Sequence, residues 1–413
     1  MTLKEFCIKS QRRLLAYFYK AISGMYHPDN SNVMFFTFQG TYACNPKYIC
    51  RKLLEKKPDL NCIWVVLDQN DKKDFPEGLT TVLFGAPEYY RALYRSKVLV
   101  DNAFNFVKQP FRKKEEQYLV ETMHGSLGIK RIEADSFSNS RRMKVSYLCG
   151  EISDVIISNS TFENDVYRHS FWGKTPLLMY GHARCDILHS GDPDNALHNK
   201  VRDFYGLPHD ARLALYAPTF SRETSEEQEP LDAETLKEAL GRKFGGDWYV
   251  LKRLHFRDAR VFHKTVNTDH VLDGTLYGDI QELMVAIDFA ITDYSSWIYD
   301  YIEMKKPGMI YAPDLEQYES STGFYYPITS VPFPLAKNNA EAVARIQDFD
   351  RERFVTDVDK FLEDKGCVDD GNASERAADM ILGLLNDKLP EAQYYSISVN
   401  NSKECINNDC NRL

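Results

Sequence analysis

Two hydrophobic rhythms alternate along the chain. Short apolar runs at 33–38, 62–67, 98–101, 118–122 and 155–158 are rich in Val, Ile, Leu and Phe and predict buried strands. Between them, at 46–57 and 87–94, apolar residues return every three or four positions, as on a helix with one buried face. The alternation resumes after residue 200, with strands at 211–216, 248–254, 289–292 and 308–311 and helices at 231–243, 295–304 and 340–349. Strands that alternate with helices pair in parallel, because each crossover lays a helix on the sheet. A polar stretch at 189–199, with Gly191, Asp192, Pro193 and Asp194, reads as the linker between the two series. The pattern predicts an α/β protein of two Rossmann-like, doubly wound domains, 31–188 and 200–370, then a helix within 371–388.

The two ends differ from this body. Residues 2–22, within an N-terminal segment 1–30, set Lys4, Lys9, Arg12, Arg13 and Lys20 among Leu3, Phe6, Leu14, Leu15, Phe18 and Ile22. A basic amphipathic helix of this kind suits an anionic membrane surface, and equally a place against the protein body. The tail 389–413 is rich in Ser and Asn and predicts disorder.

With 413 residues, 43 % hydrophobic and 27 % charged, the chain can fill two cores, which excludes wholesale disorder. Its 51 Lys and Arg against 60 Asp and Glu give a formal charge of −9. That balance argues against nucleic acid as a partner, since counterion release needs a basic surface. No run approaches the roughly 20 apolar residues of a bilayer span, and the start lacks the apolar core of a signal peptide. Nine scattered cysteines match neither a disulfide framework nor a four-ligand zinc pattern, and read as reduced thiols of a cytoplasmic protein.

In open parallel sheets ligands bind beyond the carboxyl ends of the strands, and three such ends carry chemistry. His124-Gly125-Ser126 follows the strand at 118–122: an imidazole able to take a proton near neutral pH, beside a glycine that permits close approach. Asp293-Tyr294-Ser295-Ser296 joins a strand to a helix, where hydroxyls and backbone N–H groups suit an anion, although Asp and Ser also favour helix starts on structural grounds alone. Lys252-Arg253-Leu254-His255 ends another strand with three groups able to carry positive charge. Thr219 follows a further strand, and Arg184 with Asp186 lies in 181–186. Arg141 and Arg142 add a basic loop to the first half. There is no Walker glycine loop, no Gly-x-Gly-x-x-Gly after the first strand, no serine nucleophile elbow and no paired-His metalloprotease motif.

Taken together and in order, these segments resemble the CDP-glycerol glycerophosphotransferase family, the teichoic-acid and capsule enzymes. The resemblance covers about 33–343. SKVLVDNAFNFVKQPFRKKEEQYLVETMHGSLGIKRI is similar to the family's block ending in Trp-His-Gly, YGHARCDIL to its Gly-x-Pro-Arg-x-Asp segment, LALYAPTF to its Thr loop and KRLHF to its Arg-x-His-Pro motif. DFAITDYSSWIYDYIEMKKPGMIYAPDLEQY, followed by GFYY, is the most specific piece. Met123 replaces the usual Trp, Ala183 and Phe256 replace prolines, and Arg222 sits one place late, after Ser221.

The resemblance implies a GT-B fold, an N-terminal acceptor domain facing a C-terminal nucleotide-donor domain, and the final helix returning to the first. It implies a donor, CDP-glycerol or a related CDP-polyol, whose glycerol phosphate passes to a hydroxyl of an anionic glycan, polyol-phosphate or lipid-linked acceptor. His124 and His255 are the implied catalytic pair. Gly125, Arg184, Thr219, Arg253, Asp293, Ser295 and Ser296 are the implied substrate contacts, with Arg141 and Arg142 guiding the acceptor. No cofactor and no obligatory metal are expected. Work at the inner membrane face would employ the helix at 2–22. CDP-ribitol, a sugar nucleotide, or a scaffold without catalysis are the competing readings.

Overall fold

The computed structural model describes residues 3–68, 75–135, 140–170, 174–219, 229–253 and 269–390, and their side chains except those of 3–9 and 140–142. His255 and the tail 391–413 lie outside the described residues.

Seven parallel strands form the first sheet: β1 (Asp29–Phe36), β2 (Asn61–Val66), β3 (Thr80–Leu83), β4 (Ser96–Asp101), β5 (Tyr118–Glu121), β6 (Val155–Ser158) and β7 (Leu177–Met179). Their order is β3-β2-β1-β4-β5-β6-β7. The second sheet comprises β8 (Arg212–Tyr216), β9 (Trp248–Lys252), β10 (Val271–Asp273), β11 (Phe289–Thr292), β12 (Gly308–Tyr311) and β13 (Leu335–Ala336), also parallel, in the order β10-β9-β8-β11-β12-β13. Both orders reverse direction beside the first strand, which opens a crevice at the carboxyl ends.

Helices cover both faces of each sheet, so the central strands are apolar on both sides. In β1, Val33 and Phe35 enter one core while Met34 and Phe36 enter another. The rings of Phe35 and Trp64 stack 5.2 Å apart across the β1–β2 pair. In the second sheet Leu213 and Leu215 point to one core and Ala214 to the other.

The predicted linker at 189–199 is partly structured. Asp192 accepts from the backbone N–H groups of Leu197 and His198 at 2.8 and 2.9 Å, which starts the helix Ala196–Tyr205 inside it. The helix predicted at 295–304 is shorter, Trp297–Tyr301, and runs into a 3-10 turn at Ile302–Met304.

The helix Ala373–Leu384 lies against the helix Cys44–Lys56 and puts Ala377, Ala378, Ile381 and Leu384 into the core of the first sheet. Its first N–H groups are capped from a distant segment, where Asp186 accepts from Ala373 and Ser374 at 2.9 and 2.7 Å. The helix Leu3–Ala21 buries Ala16 and Tyr19, the latter stacked on Tyr90 at 5.1 Å. Leu14, Tyr17 and Phe18 stay exposed. Among the described residues no helix is long and apolar enough to cross a membrane.

Candidate active site

The loops after β5 and β11 meet between the two sheets. A Cβ on Gly125 would lie 3.6 Å from Ser296 Oγ, and one on Gly128 would lie 3.4 Å from Ser296 Cβ. His124-Gly125 of the first half and Ser295-Ser296 of the second therefore adjoin where the halves meet.

The first loop is stitched to the second half along its length. Lys130 pairs with Phe324 in an isolated antiparallel bridge, Tyr325 N–H donates to Ile129 O at 2.8 Å, and Arg131 N–H donates to Gly323 O at 3.1 Å. Tyr326 adds a hydrogen bond from its hydroxyl to Leu127 O. The GFYY segment thus binds the loop that carries the imidazole. Two buried carboxylates at neighbouring strand ends shape this loop and the one after β4, whose Asn102 carbonyl holds the imidazole. Glu121 accepts from Met123 N–H at 3.0 Å, and Asp101 accepts from Ala103 and Phe106 N–H groups at 2.9 and 3.0 Å. Met123 takes φ 51°, a left-handed conformation that side-chain-bearing residues rarely adopt.

His124 stacks on Phe38 with ring centroids 5.5 Å apart. Its Nδ1 sits 2.5 Å from Asn102 O, so Nδ1 carries the proton and Nε2 keeps its lone pair. The residue is exposed to solvent, so its free edge is accessible. Desolvation lowers its pKa, the Asn102 hydrogen bond opposes this, and the charges of Arg184, Lys108 and Lys130 push it lower. A neutral imidazole at pH 7 is the consequence.

On the opposite wall Asp293 ties two loops together. It accepts from Thr219 N–H at 2.7 Å, from Thr219 Oγ1 at 2.6 Å and from Tyr294 N–H at 2.5 Å. Burial raises its pKa, while the Thr219 and Tyr294 bonds and the Lys130 charge lower it. Ala217 O accepts from Trp297 Nε1 and Thr292 Oγ1 at 2.8 and 2.7 Å, which fixes the Thr219 loop further.

Two arginines read from the sequence as substrate contacts face inward instead. Arg184 is 1 % exposed, holds Asp300 through Nε and Nη2 at 2.7 and 2.9 Å, and donates from Nη2 to Gly125 O at 3.0 Å. Its guanidinium fastens the imidazole loop to the second half, while its Nη1 is buried with no hydrogen-bond partner among the described residues. Arg253 donates from Nη1 to Gly274 O and Tyr277 O at 2.8 and 2.6 Å, which clamps the turn after β10. Backbone and carboxylate acceptors engage both guanidinium groups. The side chains of Arg141 and Arg142 lie outside the described residues.

Several residues escaped the sequence reading. Lys130 acts electrostatically on both His124 and Asp293, which puts one cation near both walls. Asn159 donates to Ser126 Oγ at 2.7 Å and to Asp369 Oδ2 at 2.6 Å beneath the loop. Lys47, from the first half, pairs with Asp279 and Glu282 of the second, and Tyr48 donates to Asp279 at 3.0 Å. Only the lysine in the His-Gly block had a sequence signal, its place six residues after His124.

Residues 18–383 match the family described as CDP-glycerol:poly(glycerophosphate) glycerophosphotransferase. The chain belongs to that family. It is 27 % identical over 378 residues to a teichoic acid poly(glycerol phosphate) polymerase of Staphylococcus epidermidis, covering 84 % of this chain and 50 % of the relative. The chain thus spans about half the length of that relative. A teichoic acid ribitol-phosphate primase of Bacillus spizizenii is 40 % identical over 215 residues, 51 % of this chain and 54 % of the primase. The wall teichoic acid polymerase TagF has a similar structure, with TM-score 0.78, 25 % identity, and coverage of 93 % of this chain and 95 % of that one. The two-domain GT-B architecture read from the sequence is the architecture observed.

Proposed function

We propose that the chain transfers glycerol phosphate from CDP-glycerol to an acceptor hydroxyl and releases CMP, in assembly of a teichoic-acid or capsule-type polymer. The observation that carries this reading is the close approach of the His124-Gly125 loop to Ser296 between the two halves, in a member of this family.

In the proposed mechanism the acceptor oxygen attacks the phosphorus that bears glycerol, and His124 Nε2 takes the acceptor proton. The new P–O bond forms as the bond to CMP breaks, and the electron pair leaves on the CMP phosphate. Phosphoryl-type transfer depends on placement and charge neutralisation more than on covalent help. Ser295 and Ser296 donate to the diphosphate, and Lys130 supplies positive charge between the walls. His255 is assigned to the phosphate of departing CMP. Arg184, Arg253, Thr219 and Asp293 set the loops that make these contacts, and Arg141 and Arg142 guide the anionic acceptor.

A CDP-ribitol donor is the second reading, favoured by the 40 % identity to a ribitol-phosphate primase over half the chain. Incubating the protein with CDP-glycerol, CDP-ribitol and UDP-sugars, with released nucleotide measured and products weighed by mass spectrometry, decides between them. CMP from CDP-glycerol supports the first reading. CMP from CDP-ribitol alone moves the assignment to ribitol, and UDP release from a sugar nucleotide rejects both.

Attachment to the inner membrane face is part of the proposal. Leu14, Tyr17, Phe18 and Met25 are exposed beside Arg13 and Lys20, an apolar strip with basic neighbours.

A further inference from the structure

We infer that the chain holds one divalent cation of the zinc class where its two halves join, outside the cleft chemistry. Cys185, Glu303 and Asp369 bring one ligand atom each within 4.8 Å of one another. They come from three connecting segments: the turn after β7, the 3-10 turn Ile302–Met304, and the stretch between the last two helices. Cys185 is fully buried and the Glu303 side chain is 2 % exposed. Glu303 Oε2 meets His189 Nε2 at 2.7 Å, whereas its Oε1 is buried with no hydrogen-bond partner. A carboxylate oxygen that faces a second carboxylate and a thiol in a dry site is costly unless a proton or a cation lies between them. A bound cation removes that cost.

The donor set points to the metal class. A thiolate excludes Mg2+ and Ca2+, which want oxygen alone, and favours Zn2+ or a similar borderline ion. Binding would draw these atoms in to the spacing set by Zn–S near 2.3 Å and Zn–O near 2.1 Å. His189 orients Glu303, and Asn159 Nδ2 with the His182 N–H orients Asp369 at 2.6 Å each, as outer partners of metal ligands do. Cys367 Sγ donates to Asp369 Oδ2 at 3.5 Å as a further outer partner. Through Asn159 and Ser126 the cation braces the floor of the imidazole loop.

The test uses the full chain, stripped with chelator and titrated with Co2+ and then Zn2+. One equivalent of Co2+ is expected to give a thiolate-to-cobalt charge-transfer band that Zn2+ bleaches, with a raised Tm. Cys185→Ser removes the band, Glu303→Gln weakens binding by more than about tenfold, and Cys44→Ala changes neither. If Cys185→Ser does not fold, Glu303→Gln alone decides. Absence of a saturable band, a band untouched by Glu303→Gln, or an unchanged Tm would overturn the inference and leave a shared proton between the two carboxyl groups.

Discussion

The loops after β5 and β11 both leave carboxyl strand ends, β11 directly beside the reversal of its sheet and β5 one strand further from the reversal of its own. They are built differently. The first holds one ring whose Nε2 has a free lone pair, fixed from behind by the Asn102 carbonyl. The second turns its carboxylate inward onto Thr219 and Tyr294 and leaves Ser295 and Ser296 where the halves meet. A proton acceptor and a set of hydroxyl donors are the two requirements of in-line transfer from a diphosphate. One fold supplies both by reversing which group of the loop is tied down.

Exchange of the free group on the first wall gives the largest effect. His124→Ala should reduce turnover by about 10²–10⁴-fold while calorimetry finds donor affinity nearly unchanged. Turnover within a few fold of the parent would remove the base from His124. Because its pKa lies below the ordinary 6.5, the acid limb of kcat should also begin below that pH.

Next comes the clasp between the walls. Asp300→Ala leaves the buried Arg184 guanidinium unpaired, a loss of about 3–5 kcal/mol that denaturant unfolding measures. An unchanged midpoint would mean that the pair does not hold the halves together.

The second clasp has a pH signature. Burial pushes the Glu282 carboxyl up, but hydrogen bonds from Lys200 and Tyr277 and the charges of Lys47 and Lys200 prevail and hold it at about 2. A depressed carboxyl stabilises fully above its ordinary 4.5, and the contribution disappears as pH falls from about 4.5 toward about 2. Glu282→Gln should flatten this acid limb of Tm, and an identical limb in the variant would assign it elsewhere.

Ser296→Ala tests the donor wall, with donor affinity expected to fall roughly tenfold, about 1.4 kcal/mol, and chemistry less affected. A fall in kcat alone would contradict this division of labour. Smallest of all, Phe18→Ser should reduce binding to anionic lipid vesicles without changing turnover on a soluble acceptor. Equal sedimentation with vesicles would detach that helix from the membrane.

The strands not anticipated from the sequence, β3, β7, β10 and β13, are the edges of the two sheets. An edge strand is short and covered less, so it lacks the unbroken apolar run that marks β1 or β11. The site divides in the same way. His124, Ser295 and Ser296 follow central strands and were legible, because a strand end announces its loop. Arg184 and Arg253 were legible as charges, but not as charges aimed inward.

The order of apolar runs determined two parallel sheets with helices on both faces, since that pattern has few other ways to bury itself. Which groups meet was decided by tertiary structure. Asp300 lies 116 positions from Arg184, and Cys185, Glu303 and Asp369 are scattered along the chain. Nothing in local sequence encodes such distances. They follow from where two sheets dock, and that docking fixes which buried charge finds a partner.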